Sequence, residues 1–557
     1  MNQYKWYPIF LASIVSIGGL LLGISANVSG ASEFYRPFFG LKVGTFMEGL
    51  GVSIAMLATF IGTFTAGSIS DKIGRKKSLL LAAFLFSFCT IGSGLAPNYT
   101  FFLISRFIGG LGIGICLVVV PMFIAEFSPS NKRGFLVSFN QLNVGIGFLL
   151  AYLINSIVLQ YVSDPELIWR YMLGVGVIFP GIYFILLFFV PESPRWLMQR
   201  GREKETLRLL TKIGGDYYAK EELSQIQKTT ISSETNAVNG IRSQWKELFS
   251  KKMRLIILIG FSVAFFQMAS GFNSVMFFAP KIFRLAGFSG SGSFLQSNLI
   301  GITMVLMTVV SMFLIDRLGR KPLLLIGVSI MGLAMLMSTY SFQQATYQIN
   351  KSDINQVAGS GSAEDAIIAE ILTKYEGKVY HNEIEFFHAF RDDIRNSAEK
   401  IYTKNVAFLS TINELKDKNL DQESFLKELA FSVYSTYKDD LLDVSIDIKS
   451  ILVMISILAF VIGFSISLGP ITWALLSEIF PGSVRGLGIS IASTLNGITS
   501  FLVVTILPIE LEQLGASLTF LIYGILMLIC IALVIKYYPE TKGKSLEQIE
   551  KELVKID

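Results

Sequence analysis

The stretch Asp71-Lys-Ile-Gly-Arg-Lys-Lys77 returns as Asp316-Arg-Leu-Gly-Arg-Lys-Pro322, 245 residues further on, from 71 to 316. A second segment, Ala125-Glu-Phe-Ser-Pro-Ser-Asn-Lys-Arg-Gly134, returns as Ser477-Glu-Ile-Phe-Pro-Gly-Ser-Val-Arg-Gly486, 352 residues on, from 126 to 478. Pro191-Glu-Ser-Pro194 is echoed by Pro539-Glu-Thr541, 348 residues on, from 191 to 539. Motifs repeated in the same order mark a chain built from two like halves. The offset grows by 107 residues between the first and second pairs, from 245 to 352. A segment of that size is therefore inserted between Pro322 and Ser477.

The repeats punctuate long apolar runs. Of 557 residues, 52% are hydrophobic and only 16% charged, with a mean hydropathy of +0.56. A soluble globular chain carries about 25% charged residues. The runs reach about 20 residues, enough to cross a ~30 Å hydrocarbon core, and Ile451–Leu468 and Leu518–Ile535 have no polar face. Spans are predicted near 7–29, 46–70, 78–97, 101–125, 135–160 and 168–190, and again near 254–279, 295–315, 322–343, 451–477, 487–510 and 516–537. The first run follows Lys5 with no small-residue cleavage site after it, so it reads as a span and not as a signal peptide. The expected fold is an all-α membrane protein of twelve helices in two pseudo-symmetric six-helix halves.

Basic clusters alternate between loops: Lys72, Arg75, Lys76 and Lys77; Lys132 and Arg133; Arg317, Arg320 and Lys321; Arg485. Cytoplasmic loops carry such excess, which predicts that both termini are cytoplasmic. Arg36 with Lys42, and Lys281 with Arg284, fall on the other side against the rule, partly balanced by Glu33 and Glu48. The expected division is a first bundle at 1–194, a cytoplasmic linker with short helices at 195–252, three spans at 253–343, an insert at 344–449, three spans at 450–537 and a cytoplasmic tail at 538–557. The insert holds 12 basic and 19 acidic residues, a net −7, while the whole chain is +5. That acidic balance predicts an external position. Apolar residues at helical spacing, Ile367, Ile371 and Tyr375, then Phe387, Phe390, Ile394 and Ile401, predict helices over 364–375, 383–402 and 405–434 joined by turns such as Gly359-Ser-Gly-Ser362. A disordered insert is the rival reading, since charge is high.

Cys89, Cys116 and Cys530 lie inside apolar runs at spacings that fit neither a disulfide framework nor a zinc site. His381 and His388 stand in one polar stretch with too few companions for a metal. No nucleophile–base set or phosphate-cradling loop is present, and Gly109-Gly-Leu-Gly-Ile-Gly114 sits in an apolar run where glycines serve helix packing. The sequence thus predicts no enzyme, no cofactor, no metal and no nucleic-acid partner.

The doubled Asp-x-x-Gly-Arg-Lys loops, Arg106-Phe-Ile-Gly-Gly110, Pro191-Glu-Ser-Pro-Arg-Trp196 and Pro539-Glu-Thr541 closely resemble the sugar porters of the major facilitator superfamily, such as bacterial xylose–proton symporters and facilitative glucose transporters. The resemblance covers the chain outside 344–449. It implies alternating access by two halves about a midplane site. It also implies that Asp71, Arg75, Glu126, Arg133 and Glu192, with Asp316, Arg320, Glu478 and Arg485, form a cytoplasmic gate that latches the inner side; plain topogenic charge is the alternative. For the solute, it implies Gln267 and Asn273 around Gly271, Trp473 after Gly469-Pro470, and Asn496. Helix–helix glue is the alternative for the amides. The sequence departs from the family at Phe148, Met268 and Met304, where polar side chains are usual, and at Phe277 and Phe278, where tyrosines are. The expected cavity is less polar, suiting a smaller, deoxy or non-sugar solute.

In proton-linked members an Asp of the first span pairs with the Arg that corresponds to Arg106. In this chain Ile24 or Ser25 takes that place, and Arg106 faces no acid there; Glu33, at the outer end of the span, is the remaining coupling candidate. The expectation is an integral plasma-membrane (or bacterial inner-membrane) transporter of a monosaccharide, with uniport favoured over proton symport. A non-transporting sensor is the other reading. Arg133→Ala is expected to lower transport without impairing membrane insertion, as read by uptake set against the amount of inserted protein.

Overall fold

The computed structural model describes residues 3–129, 133–236, 241–288, 290–358, 363–403, 422–481, 484–542, 544, 548–549 and 552–553. Among them are 12 helical spans long and apolar enough to cross a membrane. They run Trp6–Phe38, Phe46–Ile73, Arg75–Gly94, Tyr99–Phe127, Phe135–Tyr161 and Pro165–Leu187 in the first half. The second half has Lys251–Phe277, Gly292–Ile315, Arg320–Gln343, Ser450–Ile479, Arg485–Gln513 and Gly515–Tyr537. All twelve overlap the hydropathy-based positions. Hydrocarbon offers no hydrogen-bond partner, so a crossing backbone bonds within its own helix.

Four spans are interrupted. Spans one and six pass through 3-10 turns at Ser25–Asn27 and Val175–Val177. Span seven breaks at Gly271, whose φ of +83° is left-handed, a conformation glycine takes at no steric cost. Span ten stops at Ile466 and restarts at Leu468, with Ser467 at φ −126° and ψ −95°. Pro470 lies four residues after Ile466; its ring lacks the N–H that would bond that carbonyl and crowds it instead.

The halves meet along span two against span eleven and span five against span eight. Small residues allow the approach. A Cβ built on Gly49 would stand 2.0 Å from the Thr505 carbonyl oxygen, and one on Gly301 2.7 Å from the Leu149 Cα. Beside Gly49 the Ser53 and Thr505 hydroxyls bond at 2.6 Å. These contacts lie toward the end of the bundle that carries the 344–449 segment, termed the insert end; the opposite end, with Arg75 and Arg320, is the basic end.

Helices Pro194–Gln199, Glu203–Asn236 and Ile241–Leu248 join the halves at the basic end. In the insert, helices Lys351–Ala358, Ala363–Thr373, Glu383–Thr403 and Gln422–Ser445 pack with a small antiparallel sheet. The sheet has strands β1 Thr346–Gln348, β2 Val379–Tyr380 and β3 Ile446–Asp447, in the order β2-β1-β3. Ile367, Ile371, Tyr375, Phe387, Phe390 and Ile394 are all buried. Two expectations need correction. The last helix runs past Tyr434 to Ser445, because Leu441 and Leu442 prolong the buried stripe of Leu429 and Val433. Strands also appear where only helices were expected, each too short for alternation to register. The turn 359–362 and residues 404–421 lie outside the described residues.

Gly49→Leu is expected to part the halves at the insert end, because overfilling a packed seam costs about 1–3 kcal/mol, or roughly tenfold in the open population. A cysteine placed at Ser53 should then react with a maleimide faster by about that factor.

Candidate solute-binding seam and charged gates

Gln267 precedes the break in span seven by one turn. Its Nε2 donates to the carbonyls of Leu468, at 2.9 Å, and Gly469, at 3.2 Å, beside the break in span ten. These carbonyls open the second part of span ten, where the Thr472 hydroxyl also donates to Leu468 at 2.7 Å, so the Gln267 amide is a cross-helix tie placed beside the break. Asn496 of span eleven donates to the Gln267 Oε1 at 2.9 Å and to the Ala264 carbonyl at 2.8 Å. Asn273, past the break, donates to Ser500 Oγ at 2.7 Å and reaches Met268 Sδ at 3.2 Å. Four of the sequence-derived residues, Gln267, Met268, Asn273 and Asn496, thus share one polar seam, and Gly469 supplies a carbonyl to it. Ser500 belongs with them and was missed. It lies four residues after Asn496, one helical turn, which is the signal that could have found it.

Trp473 is four residues beyond Gly469 and 43% exposed. It therefore stands outside the buried seam. Phe148, Phe278 and Met304 are buried. Phe148 meets Phe277 edge-on at 5.9 Å between centroids and backs onto Gly23, where a Cβ would strike its backbone nitrogen at 2.5 Å. A polar group of span five lies one turn further on: the Tyr152 hydroxyl donates to the Met276 carbonyl at 2.6 Å. That residue too was missed, though it shares the face of Phe148.

Arg106 is buried, and one guanidinium nitrogen faces the Ser25 carbonyl at 3.5 Å. Its Nε has no hydrogen-bond partner among the described residues. Glu33, the other coupling candidate, is engaged across the halves instead, with Arg284 at 3.6 Å.

At the basic end the motif charges form two related braces. Arg75 bonds Glu126 through Nε and Nη2, at 3.1 and 3.0 Å, and Asp71 through Nη1 at 3.0 Å. Ser193 donates its hydroxyl to the same Glu126. Glu192 accepts from the backbone N–H groups of Arg75, Lys76 and Ser193 at 2.9, 3.2 and 2.9 Å, an anion set on a helix start. In the second half Arg320 bonds Glu478 at 2.9 Å, and Glu540 accepts from the N–H groups of Arg320 and Lys321 at 3.1 and 3.0 Å. Burial alone would raise the Glu540 carboxyl; those donors, with Lys542 and Thr541, outweigh it and hold it below its ordinary value. Glu540 was missed, although Pro539-Glu-Thr541 repeats the surroundings of Glu192. Arg485 donates to the Phe480 carbonyl at 3.0 Å. The side chains of Arg133 and Asp316 lie outside the described residues. Each of these pairs stays within one half.

The crossing pairs stand at the other end. Glu48 of span two, 3% exposed, takes Lys281 from the second half at 2.7 Å and Arg36 from its own at 3.7 Å. The crevice lined by Ser32, Glu33, Arg36, Glu48, Lys281 and Arg284 leaves about 10 Å³ free, room for a single water at most. This accounts for the cations that defied the loop-charge rule: Lys281 and Arg284 face carboxylates of the opposite half, Arg36 faces Glu48 of its own, and Lys42 faces Glu428 of the insert.

The family model described as "Sugar (and other) transporter" matches residues 11–362 and 428–553. An arabinose-proton symporter of Bacillus subtilis is 29% identical over 99% of this chain and 96% of its own length. The facilitated glucose transporter member 12 of Macaca fascicularis is 28% identical over 98% of this chain and 85% of its own. Among solved structures, the inward open conformation of the xylose transporter XylE from E. coli superposes with a TM-score of 0.68 at 25% identity, covering 98% of this chain and 100% of that one. With twelve apolar spans, two braces in repeat and a family match over most of its length, this chain belongs to the sugar transporter family of the major facilitator superfamily.

Proposed function

We propose that the protein is an alternating-access uniporter of a monosaccharide, with the basic end in the cytoplasm and the insert outside. The observation that carries the solute reading is the Gln267–Asn496–Asn273–Ser500 seam at the breaks of spans seven and ten. Hydroxyls of a sugar exchange readily with amide and hydroxyl groups of this kind, and the exposed Trp473 ring suits its C–H groups. Phe148, Met268, Met304 and Phe278 leave part of the site apolar, which favours a smaller or deoxy sugar over a fully hydroxylated hexose. The charge distribution supports the orientation, since basic loops stay inside. The seam closed at the insert end then makes this the outside-closed form.

Uniport follows from the surroundings of Arg106. A guanidinium stays protonated at any working pH. It gives up no proton itself, so coupling at this point would need a titratable group beside it, and a backbone carbonyl such as that of Ser25 does not titrate. Glu33, the carboxylate at the outer end of span one, stands against the Arg284 guanidinium at 3.6 Å.

In proteoliposomes, uptake of a sugar identified by thermal-shift screening is expected to equilibrate without accumulating and to persist when an uncoupler is added. Accumulation with alkalinisation of the medium overturns the uniport reading, and no uptake of any sugar tried favours the sensor. Gln267→Ala leaves the Leu468 and Gly469 carbonyls without their amide donor, so sugar affinity and uptake should fall by roughly tenfold or more. Binding by the purified variant checks this directly.

A further inference from the structure

The insert touches both halves of the bundle, but not in the same way. To the second half it is fastened at several points. Strand β1 begins three residues after span nine, and β3 ends three residues before span ten. The two pair antiparallel, Thr346 opposite Asp447 and Tyr347 opposite Ile446, so the neck is a closed ladder. Glu383 accepts from the Ala516 N–H at 3.3 Å, at the start of span twelve. Asp443 meets Arg284 at 3.3 Å. Lys438, buried, bonds Glu512 at the end of span eleven and lies over the Phe387 and Tyr434 rings. Burial alone would depress that ammonium; Tyr434, Glu512 and Glu383 reverse the sign and keep it charged. A body held at so many points moves with the second half.

To the first half the attachment seen among the described residues is at Lys42, in the loop between spans one and two. Its ammonium bonds Glu428 at 2.5 Å and lies 5.4 Å from the centre of the Phe431 ring. Two residues on, a Cβ at Gly44 would stand 2.4 Å from the Glu512 Cβ, so this loop rests on the carboxylate that Lys438 holds. The Lys42 contact spans the same division as Glu48–Lys281 and Ser53–Thr505, further out from the bundle.

We propose that the insert is an external clasp of the transport cycle: moving as one body with the second half, it grips Lys42 when the outer vestibule is shut and must release it for the vestibule to open. The clasp rests on the alternating-access reading but needs no knowledge of the solute. Lys42 and Glu428 are 44% and 35% exposed, so the grip is a modest one, suited to a contact that is made and broken each turn.

The test uses the full chain in nanodiscs with Ser53→Cys as the reporter, buried while the outer side is closed. Lys42→Glu and Glu428→Lys should each speed maleimide labelling, on the order of fivefold, as expected for loss of a half-exposed pair. Lys42→Arg should keep the parent rate, and the swapped double variant Lys42→Glu/Glu428→Lys should return to it. Unchanged labelling in both single variants overturns the clasp, as does a double variant that labels as fast as the singles. Labelling requires no transported sugar, so a failure here and a failure of the uniport reading are told apart.

Discussion

A polar group inside hydrocarbon that finds no partner in the protein is costly, and this constraint shapes where amides, hydroxyls and charges of the chain stand. Where helices are continuous, the backbone answers it alone. Beside the breaks at Gly271 and Ser467, side chains add ties between spans: Gln267 bonds the carbonyls of Leu468 and Gly469, and Asn496 bonds Gln267. The polar seam gathers around these breaks.

Charge obeys a related rule at the ends of the bundle. At the basic end, Arg75 and Arg320 are each held within a half, by Glu126 and Glu478, and the matching Glu192 and Glu540 sit on the helix starts. Such braces stiffen each half as a unit. At the insert end Glu48 and Glu33 reach across to Lys281 and Arg284. A buried carboxylate that loses its cation is strongly destabilised. Glu48 has a second cation, Arg36, in its own half, so parting the halves does not leave it bare. This arrangement allows a closed seam to be reopened without stranding a charge.

The sequence was informative where the physics is local or repeated. Span positions follow from hydropathy, the two halves from the doubled Asp-Lys-Ile-Gly-Arg and Asp-Arg-Leu-Gly-Arg loops, and the amide seam from Gln267, Asn273 and Asn496. It was silent where partners are far apart and unpatterned. Nothing in residues 48 and 281 announces that they meet, and the cations near 36, 42, 281 and 284 looked like exceptions to the loop-charge rule until their carboxylates were seen. Ser500 and Tyr152 escaped notice because the spacing of one helical turn from Asn496 and from Phe148 was the one signal each carried, and a single hydroxyl in an apolar run adds little to it. The short strands of the insert carry too few residues for a period of two to show, and the helix ending at Ser445 outran its expected limit because its apolar stripe simply continued.

The narrow neck of the insert has a consequence for how such a chain is assembled and varied. Because Thr346 lies opposite Asp447, spans nine and ten are connected as if by a hairpin, whatever hangs beyond the ladder. The entropy of closing a long connection is met at the neck and does not burden the helices. A segment mounted this way can lengthen, shrink or change its sequence over evolutionary time while the two membrane helices keep their registration. The loop between spans nine and ten thus works as a socket, open to new attachments at little risk to the transporter beneath.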